Sequence, residues 1–290
     1  LLIYVISLRQ HAERREHLAG ALNAVGLRAE WIEAVDGRTV ALDEIVRRGS
    51  YPRAGSHALT PTQYGCYLSH VKCWQAFLES GAPLVAIFED DVHLAEDIGV
   101  FLEQAESWFP EDADVVKLET CLQPVRLESQ PVDTVFGREL FRLRSRHLGS
   151  AAYVLSRKGA RKLLENSDKL AMGVDAVMFN PRPRLKHEMI NYQIDPAICI
   201  QDDIAYRCGL PRLGYCSNNP VPRSRKSCGT NAVEYARYVV RDGLRRLRLC
   251  LRYRIGGYRK RVIDFRQRPA SSCKRPSPRY KTAMQSRSIP

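Results

Sequence analysis

The sequence lacks any apolar run near the roughly 18 residues that a membrane-spanning helix needs, which excludes an integral helical membrane protein. It lacks a CxxC pair, and the intervals between Cys208, Cys216 and Cys228 match no standard zinc spacing, so a structural zinc module is not expected. It lacks an internal repeat, which excludes a solenoid. No basic leader accompanies the apolar stretch Leu1–Leu8, so the 9 cysteines are expected to be reduced thiols in the cytoplasm. Acidic residues are scarce in one part only. Residues 206–290 hold 3 Asp+Glu against 22 Lys+Arg, a net of +19. Residues 1–205 hold 29 Asp+Glu against 23 Lys+Arg, a net of −6, so the overall +13 belongs to the C-terminal part alone. An acidic body with a basic extension fits an enzyme held at an anionic surface.

The remaining composition is that of a folded chain: 44% of the 290 residues are hydrophobic and 27% charged, which rules out wholesale disorder. The opening reads β–α–β: an apolar strand at Leu2–Ile6, a helical pattern from Arg14 to Val25 stopped by Gly26, and a strand at Ala29–Val35 ending in the turn pair Asp36-Gly37. Thr60-Pro61 is a helix start, and the apolar stripe Leu68, Val71, Trp74, Phe77 carries that helix to Ser80. Leu84–Phe88 is a fully apolar strand. A helix over Ala95–Trp108, strands at Val115–Glu119 and Ser150–Leu155, a helix capped by Ser156 and a last strand at Pro196–Ile200 follow. The expected fold is α/β with a mainly parallel open sheet over residues 1–205. A basic appendage over 206–290 is expected to be helical at about 232–262 and disordered at about 265–290. A chain ending near Asp203 is expected to stay folded.

The sharpest local signal is Glu89-Asp90-Asp91, placed where the apolar strand ends. Adjacent carboxylates repel unless a cation neutralises them, and an oxygen-only set suits Mn²⁺ or Mg²⁺. Ligands in open α/β sheets sit at the carboxyl ends of strands, where this triplet lies; the alternative is a solvated turn that also caps the next helix.

Five motifs in register resemble glycosyltransferase family 25, the bacterial lipooligosaccharide galactosyltransferases. They are Ile6-Ser7-Leu8 with Arg14-Arg15, Ala34-Val35-Asp36-Gly37, Gly65-Cys66-Tyr67-Leu68-Ser69-His70, Ile87-Phe88-Glu89-Asp90-Asp91-Val92 and Gly149-Ser150-Ala151-Ala152-Tyr153. The resemblance covers about residues 2–203. It implies a GT-A-like fold, a nucleotide-sugar donor, usually UDP-galactose, and an acid motif that binds metal and diphosphate. It places the nucleotide near Ser7, Leu8 and Arg15. Asp36 is a candidate for a uracil or ribose contact or a plain turn residue, Asp90 for the diphosphate side, and Glu89 and Asp91 for the metal. Ser69 and His70 are adjacent on a helix and cannot face the same way, so His70 stands open between the site and the core.

A transfer that inverts the anomeric carbon, the outcome the resemblance implies, needs a base for the acceptor hydroxyl. Glu119, Asp175 and Asp202 are the candidates. Asp175 ranks first, because burial between Val174 and Ala176 would raise its pKa towards a useful value. His187 is weighed as a late metal ligand against a plain loop histidine.

In the basic appendage, Tyr238, Val239, Leu244, Leu247, Leu249, Leu251 and Tyr253 are interleaved with Arg237, Arg241, Arg245, Arg246, Arg248, Arg252 and Arg254. Such a segment suits an anionic bilayer. Nucleic acid is the weaker partner, since no helix-turn-helix, zinc or RNP pattern is present. The expected function is metal-dependent transfer of galactose from UDP-galactose to a lipopolysaccharide or lipooligosaccharide core on a lipid-anchored acceptor, at the inner face of the plasma membrane. The alternatives are another sugar nucleotide, a protein or other glycan acceptor, or a non-catalytic basic binding protein with a degraded transferase domain.

Overall fold

A computed structural model describes residues 1–41, 59–167, 172–180, 186–214 and 257–267. The chain begins with β1 (Leu2–Ser7), α1 (Ala12–Ala24) and β2 (Glu30–Glu33), followed by a 3₁₀ turn at Gly37–Thr39. The long helix α2 (Pro61–Ser80) leads into β3 (Leu84–Glu89) and β4 (Val92–Leu94). Two short helices follow, α3 (Ile98–Glu103) and α4 (Ala105–Trp108). Strands β5 (Val115–Lys117), β6 (Glu119–Thr120), β7 (Pro124–Glu128), β8 (Asp133–Val135), β9 (Arg138–Arg142) and β10 (Ala152–Ser156) precede α5 (Arg157–Asn166) and α6 (Val174–Phe179). The remaining elements are β11 (Asn191–Asp195), β12 (Cys199–Gln201), α7 (Asp202–Ala205) and β13 (Tyr258–Val262).

The main sheet has eight strands in the order β2-β1-β3-β10-β5-β11-β9-β8. It is mixed, which corrects the mainly parallel expectation. β1–β2, β1–β3 and β5–β11 pair in parallel, whereas β10 runs against both β3 and β5, and β9 runs against both β11 and β8. The strands β1, β3 and β10 are mostly apolar because both faces are covered. Ile3, Val5, Ala86, Phe88 and Val154 face α1, α3 and α4, while Tyr4, Ile6, Val85, Ile87 and Tyr153 face α2, α5 and α6.

Local chemistry explains the best-defined boundaries. Thr60 caps α2 in a reciprocal box with Gln63, with Pro61 at the first helical position. Gly81 ends the helix at φ 77°. Ser156 caps α5 by accepting from the Gly159 amide. The single helix expected over Ala95–Trp108 is broken at Gln104 into α3 and α4.

The C-terminal part departs most from expectation. Residues 232–256 of the expected basic helix lie outside the described residues. Residues 258–262 are not helical: they form β13, which pairs antiparallel with β7. Beyond it, Ile263 and Phe265 are buried in the two cores, and Ala197 donates its amide to the Asp264 carbonyl at 2.7 Å. The disorder expected from residue 265 therefore does not extend over 265–267, and a boundary after 205 does not separate this returning segment from the body. Residues 268–290 lie outside the described residues.

Candidate active site

β1 and β3 run in parallel side by side, so Ser7 and Glu89-Asp90-Asp91 emerge at one edge of the sheet. The turn Asp36-Gly37 closes that edge by backbone contact with α2. A Cβ on Gly37 would lie 1.7 Å from the Pro61 carbonyl oxygen, and one on Gly65 would lie 2.5 Å from Gly37 N, so both positions need glycine. Ser69 locks the same junction, accepting from the Val35 amide at 2.8 Å and donating to the Gly65 carbonyl at 2.7 Å.

The three acids have different surroundings. Asp90 is held by the protein: Ser7 Oγ donates to its Oδ2 at 2.7 Å, His11 Nδ1 lies 3.3 Å from the same oxygen, and Arg14 reaches Oδ1 at 3.2 Å. Glu89 accepts at Oε1 from Ser150 Oγ at 3.0 Å and meets His70 Nε2 at 3.3 Å. Burial works to raise the Glu89 carboxyl. The hydrogen bond and charge of His70, with Ser150 and Lys117, outweigh it and hold the group below its ordinary range. Asp91 is buried, and among the described residues its carboxylate meets only Gln201 Nε2, at 3.5 Å from each oxygen. Burial first, and then the Glu89 and Asp90 charges, push it well above the usual carboxylate range.

That inequality is the test of whether a metal fits. Asp91 is buried and crowded by two other carboxylates, and the only opposing influences among the described residues are one long amide contact and the charge of Arg14, which Asp90 already engages. The donor set is all oxygen, as a hard divalent ion prefers. Glu89 and Asp91 therefore fit as metal ligands, with Asp90 fixed beside them by Arg14.

Of the expected nucleotide-binding residues, Ser7 reaches the triplet and Leu8 forms the turn into α1, its carbonyl accepting from the His11 amide at 3.0 Å. Arg15 points elsewhere: its guanidinium stacks 4.8 Å over the Trp31 ring on β2, and Arg14 is the one that meets the acids. Asp36 caps the 3₁₀ turn and is bound by Arg38, whose hydrogen bonds hold its carboxyl down at about 2.

The three candidate bases also separate. Glu119 is fully buried under the Gly149–Ala151 loop, its Oε1 taking Lys117 Nζ at 2.8 Å and the Ala151 amide at 2.6 Å. Burial raises its pKa and Lys117 opposes that. Asp202 is buried and bonded by His93 Nε2 at 2.7 Å and by the Leu213 amide at 2.8 Å. Asp175 lies in the first turn of α6 with 23% of its side chain exposed, so the burial expected for it is only partial. It does share the neighbourhood of the triplet. The Cys66 thiol is pushed up by burial and then by the charges of Glu89, Asp175 and Asp91 together. His187 pairs with Glu165 on α5.

Residues 1–178 match the family described as glycosyltransferase family 25 (LPS biosynthesis protein). The chain belongs to glycosyltransferase family 25. It is 33% identical over 212 residues to a lacto-N-neotetraose biosynthesis glycosyltransferase, LgtB, of Neisseria gonorrhoeae, covering 69% of this chain and 74% of that one. It is 28% identical over 212 residues to the lipooligosaccharide biosynthesis protein lic2B of Haemophilus influenzae, covering 70% and 77%. A crystal structure of a glycosyltransferase involved in glycosylation of the major capsid of PBCV-1 is 9% identical, covers 73% of this chain and 95% of that one, and has a TM-score of 0.37, too distant to bear on function. The family 25 match spans β1 to α6 and so contains the acid triplet, Glu119 and Asp175, but not Asp202.

Sequence reasoning did not assign site roles to His11, Lys117, Ser150, Tyr153 or Gln201. Three of them had a readable signal. Lys117 and Glu119 are two apart and share a face in a strand, and Ser150 and Tyr153 lie inside a family 25 motif. His11 and Gln201 are near in space only because β1, β4 and β12 meet at this edge.

Proposed function

We propose that this family 25 enzyme transfers galactose from UDP-galactose to a sugar of a lipopolysaccharide or lipooligosaccharide core, with inversion and with a divalent metal. The observation that carries the reading is the unbalanced Asp91 carboxylate beside Glu89, at the strand edge where open α/β sheets bind ligands. Glu89 and Asp91 would hold Mn²⁺ or Mg²⁺. The ion, when bound, would offset charge developing on the leaving diphosphate.

The chain's own residues supply the remainder. Arg14 and Ser7 fix Asp90 so that it lines the diphosphate side without rotating. Asp175, the most open of the three candidate acids, takes the proton of the acceptor hydroxyl as that oxygen attacks the anomeric carbon opposite the diphosphate. Lys117, with Glu119, stiffens the loop carrying Ser150, since it donates to the Gly149 carbonyl as well as to Glu119. The basic segment around 237–254 holds the enzyme at an anionic membrane, where a lipid-anchored acceptor would be presented. Among the described residues no helix is long and apolar enough to cross a membrane.

The test is a screen of sugar nucleotides against a lipooligosaccharide-type acceptor with Mn²⁺ present, reading nucleotide release and the anomer of the product. The reading expects UDP release with UDP-galactose and a β-linked product. A stronger response to another sugar nucleotide would replace the donor, and an α-linked product would remove inversion.

A further inference from the structure

His70 is enclosed, and its two ring nitrogens have different partners. Nδ1 lies 2.8 Å from Tyr153 Oη, and Nε2 lies 3.3 Å from Glu89 Oε1. Among the described residues Tyr153 Oη has one further hydrogen-bond partner, Trp74 Nε1, at 3.0 Å. Trp74 and His70 are four apart on α2 and so share a face, Tyr153 sits on β10 beside β3, and Trp74, His70 and Tyr153 are all fully buried.

The proton positions follow from what each group can do. An indole nitrogen only donates, so Tyr153 Oη accepts from Trp74. The Tyr153 proton then needs an acceptor, and among the described residues the atom within reach is His70 Nδ1. A neutral imidazole with a bare Nδ1 carries its proton on Nε2, which faces Glu89. The reverse assignment leaves a buried phenol proton without an acceptor and sets a nitrogen lone pair against a carboxylate oxygen. The chain therefore runs one way, from Trp74 through Tyr153 and His70 to Glu89.

The same direction decides between two uses of His70. Donor atoms of Cys66, His70 and Glu89 lie within 4.8 Å of one another, a set that could hold a thiophilic cation. That use needs a bare Nε2, which the chain denies it.

We propose that His70 is a positioning residue: locked as the Nε2–H tautomer by Trp74 and Tyr153, it holds Glu89 Oε1 together with Ser150 and leaves Oε2 directed to a divalent cation. The proposal rests on Glu89 being a metal ligand. An N–H donor on Oε1 orients this carboxylate, in contrast to Asp90, which the Arg14 guanidinium engages. Tyr153 is thereby given a role at the site through a residue it touches.

The test uses the full chain and two readouts. Long-range ¹H–¹⁵N spectra of ¹⁵N-histidine protein, with the His70 signals assigned by their loss in His70→Gln, report the tautomer without any ion. Mn²⁺ binding, followed by electron paramagnetic resonance, reports the orientation of Glu89. The expected result is Nε2–H in the wild type and loss of that uniform tautomer in Tyr153→Phe. His70→Ala should bind Mn²⁺ roughly 10–100-fold more weakly. His70→Gln, whose amide can donate in place of Nε2–H, should recover most of the affinity, which a purely structural role would not restore. An Nδ1–H tautomer in the wild type overturns the proposal. So does a thiolate-to-metal charge-transfer band with Co²⁺ that Cys66→Ser abolishes. Absence of Mn²⁺ binding with the Nε2–H tautomer present also overturns it, and locates the failure in the metal reading and not in the chain.

Discussion

Asp90 and Asp91 are neighbours in the chain with opposite surroundings. Asp90 meets a hydroxyl, an imidazole and a guanidinium, whereas Asp91 meets one amide at 3.5 Å and two like charges. The folded Asp91 carboxyl is held above its unfolded value. Its contribution to stability is therefore present below the unfolded pKa, near 4, and is lost as pH rises through the folded value. At neutral pH without metal it destabilises the fold. Asp91→Asn should thus raise the melting temperature of the metal-free protein at neutral pH, abolish the rise that Mn²⁺ gives the wild type, and abolish transfer. Paired thermal melts with and without Mn²⁺ check this, and a lower metal-free melting temperature in Asp91→Asn would contradict it. Asp175→Asn keeps shape but removes the proton acceptor, so turnover should fall by roughly 10²–10⁴ with little change in donor binding. Near-full activity would pass the role to Glu119 or Asp202. The acid triplet was legible because the apolar strand and the family 25 motifs flank it; three acids after a strand, taken alone, suit a solvated turn equally well or better. The choice of Arg14 over Arg15 was not, because adjacent helix residues point about 100° apart and only the placement of α1 over β2 decides which meets the acids.

At the scale of elements, β1, α2, β3 and α5 were readable from apolar runs and cap residues, since Thr60, Pro61, Gly81 and Ser156 act locally. Strands β7 to β9 were missed. They are short, and the turn between β8 and β9 is made by Phe136-Gly137, both at positive φ (48° and 79°), a dipeptide without the usual Asn or Asp signal. β13 was missed because a basic, Arg-rich run carries no strand period, and it pairs with β7 across more than a hundred residues of sequence. The consequence reverses the expectation for a chain ending near Asp203. Deleting 257–290 removes Ile263 and Phe265 from the cores, a loss of about 1.5–3 kcal/mol each. It also frees Thr120 Oγ1, which donates to the Ile263 carbonyl at 2.6 Å. A chain ending at 256 should therefore be clearly destabilised in urea, and equal stability would contradict the docking of this segment. Arg138 connects the same region. Fully buried, it pairs with Asp97 at 2.7 and 2.8 Å and donates to the Ala197 and Arg266 carbonyls. Asp97→Ala leaves that guanidinium uncompensated and should cost about 3–5 kcal/mol, read from the urea midpoint.

For the whole molecule, the charge divides into −6 over residues 1–205 and +19 over 206–290, of which Arg261 pairs with Glu139 and Asp195 on the body. Because 257–267 pack on the body, the membrane role is tested by neutralising charge and not by truncation. Changing Arg245, Arg246, Arg248 and Arg252 to Gln should leave the melting temperature unchanged. Binding to anionic vesicles should weaken by about 4 kcal/mol, roughly a thousandfold, at about 1 kcal/mol per charge. Co-sedimentation across a salt series checks it, and unchanged binding would mean that these arginines are only solvated. The central claim is that transfer depends on a divalent ion held by Glu89 and Asp91. Its most direct test is UDP release from UDP-galactose and a lipooligosaccharide-type acceptor, measured for the full chain before EDTA, after EDTA and after Mn²⁺ is restored. The account predicts acceptor-dependent release that EDTA abolishes and Mn²⁺ restores, and that Asp91→Asn lacks under every condition. Turnover that continues unchanged in EDTA would contradict it.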